Sequence, residues 1–518
     1  MHEVVTLQFG QQANYLGTHY WNTQESYFTY AGEDESPVDH DVSFRPGIGA
    51  DGAETYTPRT LIYDLKGAFG TLRRENALYQ LQQQEDPARE GQWSGSTMSL
   101  QLPPIAPSAY QQALDAGLEA PTLTTETVRF WSDCNHVFYH PRSIVQLNEY
   151  ELNSSLMPFE QWQKGEELFA NLDREHDLLD RDLRLFLEEC DQLQGIQIFS
   201  GTDDAWGGFA SKYVERLADE LGKGCRWVFG LQDTQRAARE QQMLRLANAA
   251  QSLYALDPSA SLHVPLGSIP GSLPGYASID GTSRWQTSAL QATAVETMTL
   301  ATRLRSAQHA RATFNNMESV LNGNGMRRIA ACSLSVDDVA NLEKQNQPNG
   351  HHDPRMTNGV SEHDDDDDSD DDKHDIDMFP EMSPGTTSGR QSRGRVHLFS
   401  KIGSLRGPWK TPTEIHDASE RLHDRFSAQA PRISLHQSGL LHPILPSYPS
   451  IFRIPGRPQK LAIDAVLTTN TAIASHVRAV ENVARRMVGV EDREALCDGL
   501  STIAEEYEDG WDSDDLSD

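Results

Sequence analysis

Cysteine, long apolar runs and basic charge are all scarce in this chain of 518 residues. The five cysteines, Cys134, Cys190, Cys225, Cys332 and Cys497, are scattered and form no CxxC pair. That spacing argues against a disulfide framework or a zinc site and fits a reducing compartment. No stretch approaches the ~18–20 apolar residues needed to cross a bilayer. The opening residues to Phe9 alternate like a strand and include Glu3, unlike a signal peptide or an Arg-rich transit peptide. Lysine and arginine number 44 against 76 acids, a net charge of −32. Much of that charge is local. Residues 362–377 carry eleven acids beside Lys373 alone, and 505–518 carry eight acids and no base. The rest is only mildly acidic, which argues against direct nucleic-acid binding by phosphate neutralisation.

The length allows roughly two to four domains. Val5, Leu7 and Phe9 alternate as in a buried strand, Gly10 ends it, and Ala13, Leu16, Gly17, Tyr20, Trp21 and Phe28 follow at helical spacing. A second strand is expected over 60–65, ending in Asp64-Leu65-Lys66-Gly67. Residues 85–125, rich in Gln, Ser, Pro and Ala, read as an insertion or linker. Next come a helical face (Leu179, Leu183, Phe186, Cys190, Leu193), a strand over 196–199 and a loop over 200–208. A second helical face (Phe209, Tyr213, Val214, Leu217, Leu221) and a strand over 227–229 complete this part. Strands alternating with helices predict an α/β fold over 1–310, a parallel sheet flanked by helices with ligands at the strands' carboxyl ends. Residues 311–340 and 396–507 read as a second, α+β domain. It is interrupted by a disordered acidic insertion over 341–395 and followed by an acidic tail over 508–518. Within it, 470–507 reads as a helical pair with Ile473, His476, Val477, Val480, Val483 and Met487 on one face.

Three segments then resemble a known family. Leu7-Gln8-Phe9-Gly10-Gln11-Gln12-Ala13-Asn14-Tyr15-Leu16-Gly17 resembles the first phosphate loop of tubulins, roughly QxGQCGNQxG. Tyr56-Thr57-Pro58-Arg59-Thr60-Leu61-Ile62-Tyr63-Asp64-Leu65 resembles their YxPRAxLxDLE segment. Gly195-Ile196-Gln197-Ile198-Phe199 and the loop after it fall where tubulins carry GGGTGSG. A further segment, Val128-Arg129-Phe130-Trp131-Ser132-Asp133 through Tyr139-His140-Pro141-Arg142-Ser143, is similar to the WSD…HPRS signature of the Misato family. These are tubulin-related proteins of mitochondrial distribution and, in fungi, mitochondrial DNA inheritance. The resemblance implies a tubulin-like fold and a nucleotide-type site at Gly10, Gln11, Gln12, Asn14, Asp64, Gly201, Thr202, Gly207 and Gly208. Residual GTP with Mg²⁺ is the one cofactor it implies, Gln11 facing the phosphates and Asp64 holding the metal through water.

The departures bear on chemistry. Ala13 stands for a glycine, Gln12 for a cysteine and Lys66 for an acid; the glycine-rich loop has become Gly201-Thr202-Asp203-Asp204-Ala205-Trp206-Gly207-Gly208. At ~4 Å and an effective dielectric of ~20, each carboxylate beside a triphosphate costs about 4 kcal/mol. No NxD segment follows the helix expected over 289–304, so GTP turnover by polymer contact is not expected. The catalytic residues and metal ligands are therefore expected to be none.

Elsewhere, Trp131, Asp133, His140 and Arg142 form either a binding surface or a structural cluster, with Trp131, Phe138 and Tyr139 in the core and Asp133 paired to Arg142. A Ser-His-Asp triad there lacks a nucleophile elbow. His351, His352, His363 and His374 lie in the acidic tract, where ordering entropy opposes metal binding. Ser369 and Ser513 precede acids and suit an acid-directed kinase. The functional expectation is a non-enzymatic, tubulin-related protein of mitochondrial organisation, partitioning and DNA inheritance. It would act through protein partners such as tubulin or chaperonin and meet the mitochondrion peripherally, with a cytoplasmic pool alongside. The rivals are a GTP-binding filament former and a cofactor of chaperonin-dependent tubulin assembly.

Overall fold

The computed structural model describes residues 3–29, 35–48, 52, 54–72, 105–305, 311–337, 376–380, 396–408, 431–456, 458–487 and 489–508. Strand β1 (Glu3–Phe9) turns at Gly10 into helix α1 (Gln11–Glu25). A hairpin of β2 (Phe44–Ile48) and β3 (Glu54–Pro58) precedes β4 (Thr60–Lys66). Helix α2 (Ala109–Asp115), β5 (Ile144–Glu151), α3 (Trp162–His176) and α4 (Arg184–Glu188) follow. Then β6 (Leu193–Gly201), α5 (Ala205–Leu221), β7 (Cys225–Gln232), α6 (Arg239–Leu256), β8 (Leu262–Gly267) and α7 (Arg284–Thr299) complete the first part.

The six strands β5-β4-β1-β6-β7-β8 form one wholly parallel sheet. Both faces are covered. Leu7 and Phe9 of β1 pack with α3 and α5, while Val4 joins the cluster that includes Leu16 of α1 and Leu290 of α7. Burial on both faces means that β1 throughout and β6 from Gly195 onward are buried at every position, polar residues included. The buried polar side chains of β1 bond to both neighbouring strands: Gln8 Nε2 donates to Thr60 Oγ1 of β4 at 3.0 Å, and Gln197 Nε2 of β6 donates to Thr6 Oγ1 at 2.8 Å. Gly17 makes room for the first of these, since a β-carbon there would meet Gln8 Oε1 at 2.2 Å.

The second part consists of α8 (Phe314–Leu321), β9 (Ala331–Asp337), β10 (Ile376–Asp377), β11 (Leu398–Arg406), β12 (Arg432–Ser438), β13 (His442–Pro443), β14 (Lys460–Asn470), α9 (Ala472–Met487) and α10 (Val490–Glu506). Its sheet runs β10-β9-β14-β11-β12, with β13 beside β14; only β11 and β12 pair in parallel. A buried ionic hub joins it to the first part through α7. Glu296 accepts hydrogen bonds from Gln24 at 2.9 Å and Arg303 at 3.4 Å, and pairs with Arg406 of β11. Burial alone would raise this carboxyl, but Arg406, His442 and Arg303 outweigh it and hold Glu296 below the usual carboxylate range.

Three expectations gain detail. Of the stretch 85–125, residues 105–125 are described, and this part packs on the core through Tyr110 of α2 and Leu123. Within 341–395, Ile376 and Met378 are fully buried, and Met378 bridges the two parts through Gly267 N and Cys332 O. Two apolar side chains with backbone partners suffice to fix this short strand despite the acids before it. The helical pair is α9 and α10, but its buried face takes in Ala474 and Ala484 while Met487 is exposed. The rest of 341–395, the acidic tail from 509 onward, the four acidic-tract histidines, Ser369 and Ser513 lie outside the described residues.

Candidate functional site

Strand order reverses between β1 and β6, so the chain leaves these neighbours toward opposite halves of the sheet and opens a crevice at their carboxyl ends. A cavity of about 570 Å³ lies there, lined among others by Gly10, Gln11 and Gln12 on one side and Gly201, Asp203, Asp204 and Trp206 on the other.

On the β1 side, Gly10 has φ 85° and ψ 173°, a conformation glycine alone adopts readily. Its N–H is spent in the sheet on Tyr63 O at 3.0 Å. Gln11 and Asn14 do not point at open space. Their amide nitrogens each donate to Asp64 Oδ2 at 2.6 Å, and Leu65 N donates to Asp64 Oδ1 at 2.9 Å. Asp64 is fully buried, and that burial pushes its carboxyl up to about 7 against these donors. Gln12 reaches across to α7, donating to Gln291 Oε1 at 3.0 Å. Lys66 faces Glu151 at 4.0 Å.

On the β6 side the chain serves itself. Asp204 is the N-cap of α5: its Oδ1 accepts from Trp206 N at 2.9 Å, and its carbonyl accepts from Gly207 N at 3.2 Å. Asp203 Oδ2 accepts from Asp233 N at 2.7 Å, and Asp233 pairs with Arg245 at 2.7 Å. Burial and the neighbouring Asp204 raise Asp203 to about 7; burial raises Asp204 to about 6. Thr202 is buried and donates from its backbone to Leu231 O at 3.0 Å.

Gly207 and Gly208 lie inside α5 and serve helix packing. A β-carbon on Gly207 would meet Ser252 Oγ at 2.2 Å; one on Gly208 would meet Trp162 O, a backbone atom of α3, at 2.0 Å. Trp206, 5% exposed, lies against Gly10: a β-carbon there would sit 2.4 Å from the indole Nε1. Phe159 holds the indole edge-on, ring centroids 5.2 Å apart.

The structure thus brings Gly10, Gln11, Gln12 and Gly201 to the cavity wall, places Asn14 and Asp64 beneath it, and draws Thr202, Gly207 and Gly208 into packing. Sequence reasoning missed Asp204 as a cap, although an aspartate just before an apolar-periodic run is a helix-start signal. It also missed Arg284, the first residue of α7, which lines the cavity.

The Trp131 segment divides between core and surface. Trp131 and Tyr139 are core residues, but Phe138 is 61% exposed. Buried Asp133 pairs with Arg129 at 3.2 Å rather than with Arg142, and accepts from the backbone N–H of Arg129 and Phe130. The acid is thereby used by the turn that precedes it. Among the described residues no helix is long and apolar enough to cross a membrane, and no group of three or more metal-ligating side chains occurs.

Comparison with known proteins agrees with this architecture. Residues 2–116 match the Misato Segment II tubulin-like domain, and residues 120–304 match the Tubulin domain. The chain is 46% identical to Protein DML1 of Phaeosphaeria nodorum over 523 residues, 99% of this chain and 98% of that one. It is 43% identical to Protein dml-1 of Neurospora crassa over 99% and 98%. With Protein dml1 of Schizosaccharomyces pombe, identity is 33% over 66% of this chain and 74% of the relative. Identity at this level along nearly the whole length means that the chain belongs to the Misato/DML1 family of tubulin-related proteins.

Proposed function

We propose that this protein is a non-enzymatic member of its family, acting through protein partners in mitochondrial organisation, partitioning and mitochondrial DNA inheritance. The mitochondrial role and a peripheral place at that organelle rest on the resemblance of the WSD…HPRS segment and the family membership. The absence of GTP turnover rests on one observation: Asp204 occupies the amino terminus of α5 while Trp206 covers Gly10. In this reading the second phosphate loop has lost its cradle. An internal carboxylate takes the amide that a phosphate needs, and two glycines that would have opened the loop are committed to helix contacts. GTP with Mg²⁺ does not fit these residues.

The direct test strips the full-length protein of nucleotide and titrates it with labelled GTP and Mg²⁺. The expected result is no saturable binding at tens of micromolar protein and no GTP-dependent sedimentation. Micromolar or tighter affinity, or filaments that pellet only with GTP, would overturn the reading. In cells, depletion should alter mitochondrial distribution and mitochondrial DNA content, and a Gln11→Ala variant should restore both. Rescue that fails with this variant, where its thermal unfolding matches that of the wild type, would count against a nucleotide-independent role.

A further inference from the structure

The cavity's two walls differ in what they leave unbonded. On the α1 side, no side chain caps the helix, and the first intrahelical bond is Asn14 N to Gly10 O at 3.0 Å. The N–H groups of Gln11 and Gln12 therefore meet no acceptor among the described residues, in a helix of fifteen residues whose dipole favours an anion at this end. A helix terminus alone would say little, but three side-chain donors converge on the same cavity. Tyr15, one turn into α1, is 5% exposed and lines the cavity, and its hydroxyl makes no hydrogen bond to any of the described residues. Trp206 is equally buried, and its indole N–H stands against Gly10 with no acceptor among the described residues. Arg284 lines the cavity with no carboxylate of the described residues at ion-pair distance, whereas Arg245, also on its wall, is tied to Asp233. The positive charge of Arg284 opposes the burial that raises both Tyr15 and Asp204.

We propose that the α1 end of this cavity is a receptor for a single oxyanion head, a phosphate monoester or a carboxylate. The opening amides of α1, the Tyr15 hydroxyl, the Trp206 indole N–H and Arg284 hold it. This rests on the reading that the α5 end is self-occupied. Asp203 and Asp204 form the facing wall, so one anionic group is accepted there while a polyphosphate running on toward α5 meets like charge. The site would therefore select small mono-headed anions over nucleoside triphosphates.

The test uses full-length protein at pH 7.5, with inorganic phosphate, sulfate and acetate titrated at ionic strength fixed by chloride, and with GTP as a separate arm. Calorimetry and thermal unfolding provide the readout. Saturable millimolar binding of phosphate or sulfate is expected, weakened at least tenfold by Arg284→Gln and severalfold by Tyr15→Phe. Arg142→Ala, which alters an arginine outside the cavity, should leave it unchanged. Acetate stronger than phosphate would identify a carboxylate as the natural head; the reverse would identify a phosphate monoester. A response no larger than that to chloride, or one equal in all variants, overturns the proposal. If GTP alone binds at micromolar affinity, the preceding reading fails. If neither GTP nor any small anion binds, the oxyanion receptor fails and the preceding reading stands.

Discussion

Helices α1 and α5 begin at equivalent places, each just beyond the carboxyl end of a central strand, β1 or β6, and each against the same cavity. Yet α1 starts at a glycine and its first amides meet no acceptor among the described residues, while α5 starts at an aspartate that closes its own. The same topology therefore yields one end that can receive an anion and one that already holds it. The glycines divide in the same way. Gly10 faces the cavity in a conformation that needs glycine, and Gly208 faces α3.

The glycine division predicts the largest effect. A β-carbon on Gly208 would collide with the backbone carbonyl of Trp162, and one on Gly165 of α3 would meet Ala205 O at 1.6 Å, so neither helix can yield without parting. Gly208→Ala should therefore cost about 3 kcal/mol, the upper part of the overpacking range. Gly201→Ala meets only the Asp204 side chain, nearest at 2.8 Å, and should cost clearly less. Urea unfolding of both variants measures the gap. Equal losses would mean that Gly208 is not there for packing.

Asp204 provides the next. Asp204→Ala removes the α5 cap and should lower stability by about 1 kcal/mol, whereas Asp204→Asn should be nearly neutral because asparagine caps as well. With the internal carboxylate gone, the Trp206 amide is released, and sulfate should bind the alanine variant severalfold more tightly than the wild type. Calorimetry on both variants separates cap from charge. A gain in Asn equal to that in Ala would show that charge alone, and not the occupied amide, repels the anion.

The architecture was largely legible because β1, β4, β6 and β7 are apolar runs ended by glycine or polar turns, a signal that survives in one sequence. Strands β5 and β8 were not read. The first is an edge strand whose residues are mostly half-exposed, and the second is broken by Pro265, which only an edge strand tolerates. The candidate site was legible as a location and much less as a set of contacts. Gln11 and Asn14 suit phosphate as well as they suit Asp64, and only the fold shows that Asp64 has taken both. Asp203 and Asp204 could be read for their charge, but capping depends on where α5 begins, which sequence locates only to within a few residues. Nothing local marks Tyr15, Trp206 and Arg284 as neighbours, because they come from three separate helices.

The smallest effect concerns how the acidic wall titrates. An aspartate ordinarily loses its proton near ~3.9, but Asp203 is raised to about 7 and Asp204 to about 6, by burial in both and by the neighbouring Asp204 in the case of Asp203. Between those limits the folded chain holds more protons than the unfolded one, so their contribution to stability falls as pH rises from ~4 to ~7. Asp64, also raised to about 7, acts in the same direction. His19 and His263, lowered to about 4 by burial, act in the opposite direction below ~6.5. The difference between two variants cancels these shared contributions. Asp203→Asn should therefore gain stability over the wild type at pH 8 and lose most of that gain at pH 5, as urea midpoints at the two pH values would show. A gain that does not change with pH would mean that Asp203 carries its charge throughout. In that case the wall facing α1 would repel anions equally at both pH values instead of relaxing in mild acid.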